Sequence, residues 1–123
     1  MSEKVVVLYV DDEPINLMLF EKNFVRTYIV FTAESGYKGL EKLSNNPAIK
    51  IVVSDMKMPG MNGVEFIRKA KNKYPAIEFF ILTGYEITEE IADALNEKII
   101  SKYFRKPFNM HEIDSAINEA LMK

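Results

Sequence analysis

Residues 5–10 read Val-Val-Val-Leu-Tyr-Val and run straight into Asp11-Asp12-Glu13-Pro14. A short apolar, β-branched run that stops on carboxylates has the pattern of a strand buried on both faces, and Pro14 suits the first turn of a helix. Leu17, Phe20 and Phe24 then recur at helical spacing up to Arg26, and Tyr28 to Thr32 returns to strand-like residues. The alternation continues to the end of the chain. Ser35 is placed to cap a helix to about Asn45 with Tyr37, Leu40 and Leu43 facing inward, and Ile49 to Ser54 follows as strand. Asn62 opens a helix with Val64, Ile67 and Ala70 on one face, Tyr74-Pro75 ends it, and Phe79 to Leu82 is a buried strand. Thr88 caps a helix through about Glu97, and Lys102 to Phe104 forms a fifth strand. A last helix carries Ile113, Ala116, Ile117, Ala120 and Leu121 on its apolar face. Five strands alternating with five helices predict an α/β, doubly wound parallel sheet in three layers, α/β/α. With no linker or internal repeat, residues 1–123 read as a single domain.

Composition narrows the function. The chain has 123 residues, 48% of them hydrophobic, and eight Phe with six Tyr give the core bulk. Without cysteine, thiolate metal sites, iron–sulfur clusters and thiol nucleophiles are excluded, and nothing marks a secreted protein. Sixteen Lys plus Arg against eighteen Asp plus Glu leave a net charge of −2, far from the basic balance of a nucleic-acid binder. No apolar run has the length of a membrane span or signal peptide, so the expectation is a soluble, cytoplasmic protein without membrane or direct nucleic-acid contact.

In doubly wound folds ligands bind outside the carboxyl ends of the strands. Just after the strands stand Asp11 and Asp12 (first), Asp55 (third), Thr83 (fourth) and Lys106 (fifth). Three carboxylates in one crevice repel each other unless a cation joins them, and an all-oxygen donor set favours Mg²⁺ over softer metals. The Thr83 hydroxyl and the Lys106 ammonium can hold the oxygens of a phosphoryl group opposite the carboxylates. The glycine-rich phosphate loops of nucleotide-binding folds are absent, since the first turn here is Asp-Asp-Glu-Pro.

Val-Leu-Tyr-Val-Asp11-Asp12-Glu13-Pro14, Asp55-Met-Lys-Met-Pro59-Gly60-Met-Asn-Gly63, Leu82-Thr83-Gly84 and Lys106-Pro107-Phe108 together resemble the four signatures of the receiver (CheY-like) domains of two-component response regulators. The resemblance spans the whole chain. It implies a flavodoxin-like (βα)₅ fold with strand order 2-1-3-4-5, Asp55 as phosphoacceptor, and Mg²⁺ held by Asp11, Asp12, Asp55 and the backbone carbonyl of Lys57. Lys106 would stabilise the transferring oxygens, and Thr83 with Tyr103 would form the switch. Partners would be a sensor histidine kinase or histidine phosphotransfer protein on one side, and an output domain or effector at the fourth helix, fifth strand and fifth helix on the other. A phosphorylation-dependent dimer is compatible with this. The Lys106-Pro107 bond is similar to one the family keeps cis. The stretch from Ala94 to Pro107 is similar to receivers fused to enzymatic output domains, where a Gly often stands near Lys98.

Each residue also has a plainer reading. Single carboxylates commonly end strands in solvent, Thr83 suits a turn cap, Lys106 a surface position, and Tyr103 an ordinary strand aromatic. Their convergence favours the site. His111 falls in the first turn of the last helix, away from the crevice, and Arg68, Lys69, Lys71 and Lys73 suit the C-terminal end of a helix dipole. Met56, Met58 and Met61, around the Asp55 loop, are expected to pack or to line the rim of the site rather than to bind a soft ligand. The resemblance further implies that Lys57, two after Asp55, and Tyr85, two after Thr83, stand at positions bordering the path of attacking water, and they are candidates for tuning the lifetime of an aspartyl phosphate. The chain is expected to catalyse only its own phosphorylation and dephosphorylation. Alternatives are a pseudo-receiver that binds without being phosphorylated, and a Mg²⁺-dependent phosphatase with an aspartyl nucleophile. The latter is disfavoured because Lys57 stands where such enzymes carry a second Asp.

Overall fold

A computed structural model describes residues 4–84 and 87–122. Five strands and five helices alternate: β1 Val6–Val10, α1 Pro14–Phe24, β2 Ile29–Ala33, α2 Gly36–Asn45, β3 Ile49–Asp55, α3 Gly63–Lys73, β4 Glu78–Thr83, α4 Glu89–Asn96, β5 Lys102–Arg105 and α5 Met110–Leu121. The strands form one parallel sheet in the order β2-β1-β3-β4-β5. Neighbouring strands reverse their order beside β1, which places the crevice above β1 and β3. Asp55 and Thr83 are the last residues of β3 and β4 rather than the first beyond them.

Successive strand residues point to opposite faces, so each strand feeds two cores. Leu8, Val10, Val52, Phe79 and Ile81 pack with residues of α2, α3 and α4, among them Leu43, Phe66, Ile67, Ile91 and Ala94. Val7, Tyr9, Ile51, Val53, Phe80, Leu82 and Phe104 pack with Phe20 and Phe24 of α1 and Ile113, Ala116 and Ile117 of α5. Three layers result, with α1 and α5 on one side of the sheet and the other helices opposite.

The caps fall where side chains can accept orphan N–H groups. Ser35, Thr88 and Asn109 accept from Lys38, Ile91 and Glu112 at the starts of α2, α4 and α5. At α3 the cap is reciprocal: Asn62 Oδ1 accepts from Glu65 N–H at 2.8 Å while Glu65 Oε1 accepts from Asn62 N–H at 2.9 Å.

Two inward expectations fail. Tyr37 is 61% exposed, and the inner face of α2 is instead made by Gly36 and Gly39 with Leu43. A Cβ on Gly36 would come within 2.7 Å of Met61 Sδ, and one on Gly39 within 2.8 Å of the Phe66 ring. The helix approaches α3 too closely for any side chain at those places, and this rotation turns Tyr37 outward. Leu121 lies at the frayed end of α5 and is 37% exposed, whereas Ile113, Ala116, Ile117 and Ala120 are buried as expected.

Candidate functional site

Asp11 follows β1, and its backbone N–H still donates to Ala33 O of β2 at 3.1 Å, which extends the ladder to the mouth of the crevice. Its side chain is fully buried. Asp12, next along the turn, is half-buried, and Asp55 closes β3 with 6% exposure. The sheet brings one carboxylate oxygen from each of Asp11, Asp12 and Asp55 to within 4.8 Å of one another. Asp12, Asp55, Lys57, Met58, Gly84 and Lys106 are among the residues lining an open cleft of about 690 Å³ over this cluster.

Lys106 enters from the end of β5. Its Nζ lies 3.0 Å from Asp11 Oδ2 and 3.3 Å from Asp55 Oδ1, so one ammonium bridges two of the three carboxylates. The Lys106 backbone N–H donates to Thr83 O at 2.7 Å, which joins the end of β5 to the end of β4. The Lys106-Pro107 peptide is cis. Thr83 is buried, and Tyr103, half-buried two residues before Thr83's register partner Arg105, packs against the α4 side of the core.

The loop after Asp55 is fixed by backbone bonds. Met56 N–H donates to Asp55 Oδ1 at 2.9 Å, and Gly63 N–H donates to Met56 O at 2.8 Å. A Cβ on Gly63 would collide with the backbone oxygen of Asp55, so only glycine lets α3 start this close to β3. Met56, Met58 and Met61 are all buried around this loop, as packing residues should be.

The electrostatics follow from this crowding. Burial first, and then the charge of Asp11, push the Asp55 carboxyl up to about 6; the Lys106 ammonium and the Met56 N–H pull the other way without cancelling them. At Lys106 burial pulls the ammonium down, but the hydrogen bond to Asp11 and the charges of Asp55 and Asp11 outweigh it and leave it raised. A cluster of hard oxygen donors whose members crowd each other's charge suits a small divalent cation such as Mg²⁺.

One participant escapes the sequence. In a run that reads as wholly apolar, Tyr9 hides a polar end: its hydroxyl donates to Asp11 Oδ2 at 2.6 Å. The available signal is the spacing, since residues two apart share a strand face and Tyr9 stands two before Asp11. His111 is exposed in the first turn of α5, apart from the cluster. Arg68 forms a two-point ion pair with Glu97, at 2.8 Å and 3.2 Å. Tyr85 lies outside the described residues.

A family model for the response regulator receiver domain matches residues 7–118. The hydrogenase transcriptional regulatory protein HoxA of Cupriavidus necator is 29% identical over 98% of this chain, which spans about a quarter (25%) of that relative's length. Sporulation initiation phosphotransferase F of Bacillus subtilis is 30% identical over 98% of this chain and 95% of its own. The response regulator protein TrrA of Thermotoga maritima, in a crystal structure with Mg²⁺ and BeF, matches with a TM-score of 0.80 and 27% identity over 94% of this chain and 97% of that one.

Proposed function

The chain belongs to the response regulator receiver domain family of two-component signalling, and from that premise we propose that Asp55 accepts the phosphoryl group and that Asp11, Asp12 and Lys106 serve the transfer. The observation that carries this reading is the Lys106 ammonium, set within 3.3 Å of Asp55 inside the cluster of three carboxylates.

An Asp55 oxygen attacks the phosphorus of a phosphohistidine on a sensor kinase or phosphotransfer protein; the new O–P bond forms as the P–N bond breaks, and the imidazole leaves. Asp11, Asp12, Asp55 and the Lys57 carbonyl are the proposed holders of Mg²⁺, which fits the all-oxygen cluster and the Mg²⁺ in the TrrA complex. When bound, Mg²⁺ neutralises the charge that otherwise keeps a carboxylate from an anionic phosphoryl group. Lys106 turns from Asp55 to the transferred oxygens, and Thr83, at the neighbouring strand end, donates its hydroxyl to one of them. Tyr103 follows into the space vacated, and the surface of α4, β5 and α5 is altered for an output domain or effector. Lys57 lines the cleft and, with Tyr85, is proposed to set how fast water reaches the aspartyl phosphate.

The test is intact mass after incubation with acetyl phosphate and Mg²⁺. One phosphoryl group is expected on the chain, and none without Mg²⁺ or on Asp55→Asn. An unmodified chain with Mg²⁺ bound would leave a constitutive binding module instead. Dephosphorylation rates of Lys57→Ala and Tyr85→Ala equal to that of the unaltered chain would remove their proposed role.

A further inference from the structure

Tyr9 stands in β1 with its ring 1% exposed and stacked on Phe20, the centroids 4.2 Å apart and the planes 7° from parallel. The stack fixes the ring, so the hydroxyl has little freedom to choose another partner. Held there, the phenol O–H donates to Asp11 Oδ2.

What it donates to matters. An ionised carboxylate offers about four lone-pair sites. Asp11 Oδ1 accepts from Glu13 N–H at 2.9 Å, and Oδ2 accepts both from the Tyr9 hydroxyl at 2.6 Å and from Lys106 Nζ at 3.0 Å. Tyr9 and Lys106 thus share one oxygen. Each donor withdraws electron density from the acceptor and weakens what the other gains from it, and both reduce the charge that Asp11 presents to a cation.

We propose that Tyr9 is a positioning residue for phosphoryl transfer: by occupying the Asp11 oxygen that also tethers Lys106, it loosens that tether so that Lys106 can turn to the phosphoryl oxygens, at the expense of a weaker hold on the divalent cation. The inference rests on the reading of Asp55 and Lys106 given above. Its signature is two effects of opposite sign. Removing the hydroxyl leaves Asp11 more negative, which tightens Mg²⁺ binding, and binds Lys106 to Asp11 more firmly, which slows transfer.

The variant is Tyr9→Phe in the full chain, which keeps the ring stack. Mg²⁺ alone is titrated by calorimetry, and phosphoryl uptake from acetyl phosphate at saturating Mg²⁺ is followed by intact mass. Mg²⁺ is expected to bind about threefold to tenfold more tightly, and the saturating rate to fall by about the same factor, as befits a charge-assisted hydrogen bond. In a Lys106→Met background the Tyr9→Phe change is expected to leave the residual rate unaltered. A purely structural role would weaken affinity and rate together. Mg²⁺ affinity that is unchanged or weaker in Tyr9→Phe, or a saturating rate that does not fall, overturns the proposal. If the unaltered chain takes up no phosphoryl group, the underlying reading fails instead, and the two failures are told apart by that control.

Discussion

Helices α3 and α4 lie side by side on one face of the sheet, yet they are held by different means. α3 buries Gly63, Val64, Phe66, Ile67 and Ala70, begins with a reciprocal cap, and starts against the backbone of β3. α4 is eight residues long and buries only Ile91 and Ala94. Beyond these and the half-buried Leu95, its ends are held by polar ties: Asn62 Nδ2 donates to Glu90 Oε1 at 3.1 Å near one end, and Arg68 pairs with Glu97 just past the other. Close packing admits one arrangement, whereas a part-buried hydrogen bond and an exposed ion pair trade more readily for water. The molecule thus sets a fixed floor under Asp55 beside a wall that small free energies can shift, which suits a helix proposed to carry the output.

Four experiments break or sharpen this contrast. The largest effect belongs to Gly63→Val, where the added carbons meet the Asp55 backbone and Ile81; urea denaturation is expected to show a loss of about 3 kcal/mol. Stability near that of the unaltered chain would mean the floor yields after all.

Next comes the charge stored in that floor. The Asp55 carboxyl titrates at about 6 in the folded chain and near ~3.9 when unfolded, so the folded state binds the extra proton between those values. Stability from this group therefore falls as pH rises through that window, and the penalty is full above it. Without divalent cation, Asp55→Asn is expected to stabilise the chain by about 2 kcal/mol at neutral pH. The gain should vanish below pH ~3, where the carboxyl is protonated in the folded and the unfolded chain alike. A gain that persists in acid would assign the effect to something other than charge.

The third effect lies at the end of α4. Lys98 has φ 60°, a left-handed conformation that opens the way for Ile99 N–H to donate to Ala94 O at 2.9 Å. Lys98→Gly is expected to add about 1 kcal/mol, read from the urea midpoint. The smallest is Arg68→Gln. The Glu97 carboxylate holds the guanidinium raised and is itself lowered by it, but both groups lie in solvent. A slight loss of thermal stability is expected in dilute buffer, and none in molar salt. A loss that survives salt would show that α4 is as firmly seated as its neighbour.

The same contrast explains what could be read from the chain alone. Strands β1, β3 and β4 are apolar on both faces, so composition marks them, and the cap residues Ser35, Asn62 and Thr88 name the helix starts through their own hydrogen-bonding chemistry. Asp11, Asp12, Asp55 and Lys106 were legible because polar groups at the ends of buried strands are conspicuous. Tyr37 misled because hydrophobic spacing assumes that bulk faces inward, whereas α2 is seated by the absence of bulk at Gly36 and Gly39. Tyr9 escapes the pattern because its ring satisfies the apolar spacing while its hydroxyl bonds Asp11. The Arg68–Glu97 tie joins residues 29 apart in sequence, a pairing that no local pattern contains.

The glycine face of α2 has a consequence for the order in which the structure gains and loses its parts. Gly39, inside a ten-residue helix, weakens it by roughly 1 kcal/mol relative to alanine, and Gly36 opens the helix with no side chain to pack. A helix that short is marginal in isolation even with favourable residues. Its persistence is thus borrowed from Met61 and Phe66, and its amide protons should exchange with solvent through local openings well before those of α3 or the central strands. On refolding α2 should be among the late elements to acquire protection, once α3 has supplied the surface against which its glycine face can rest.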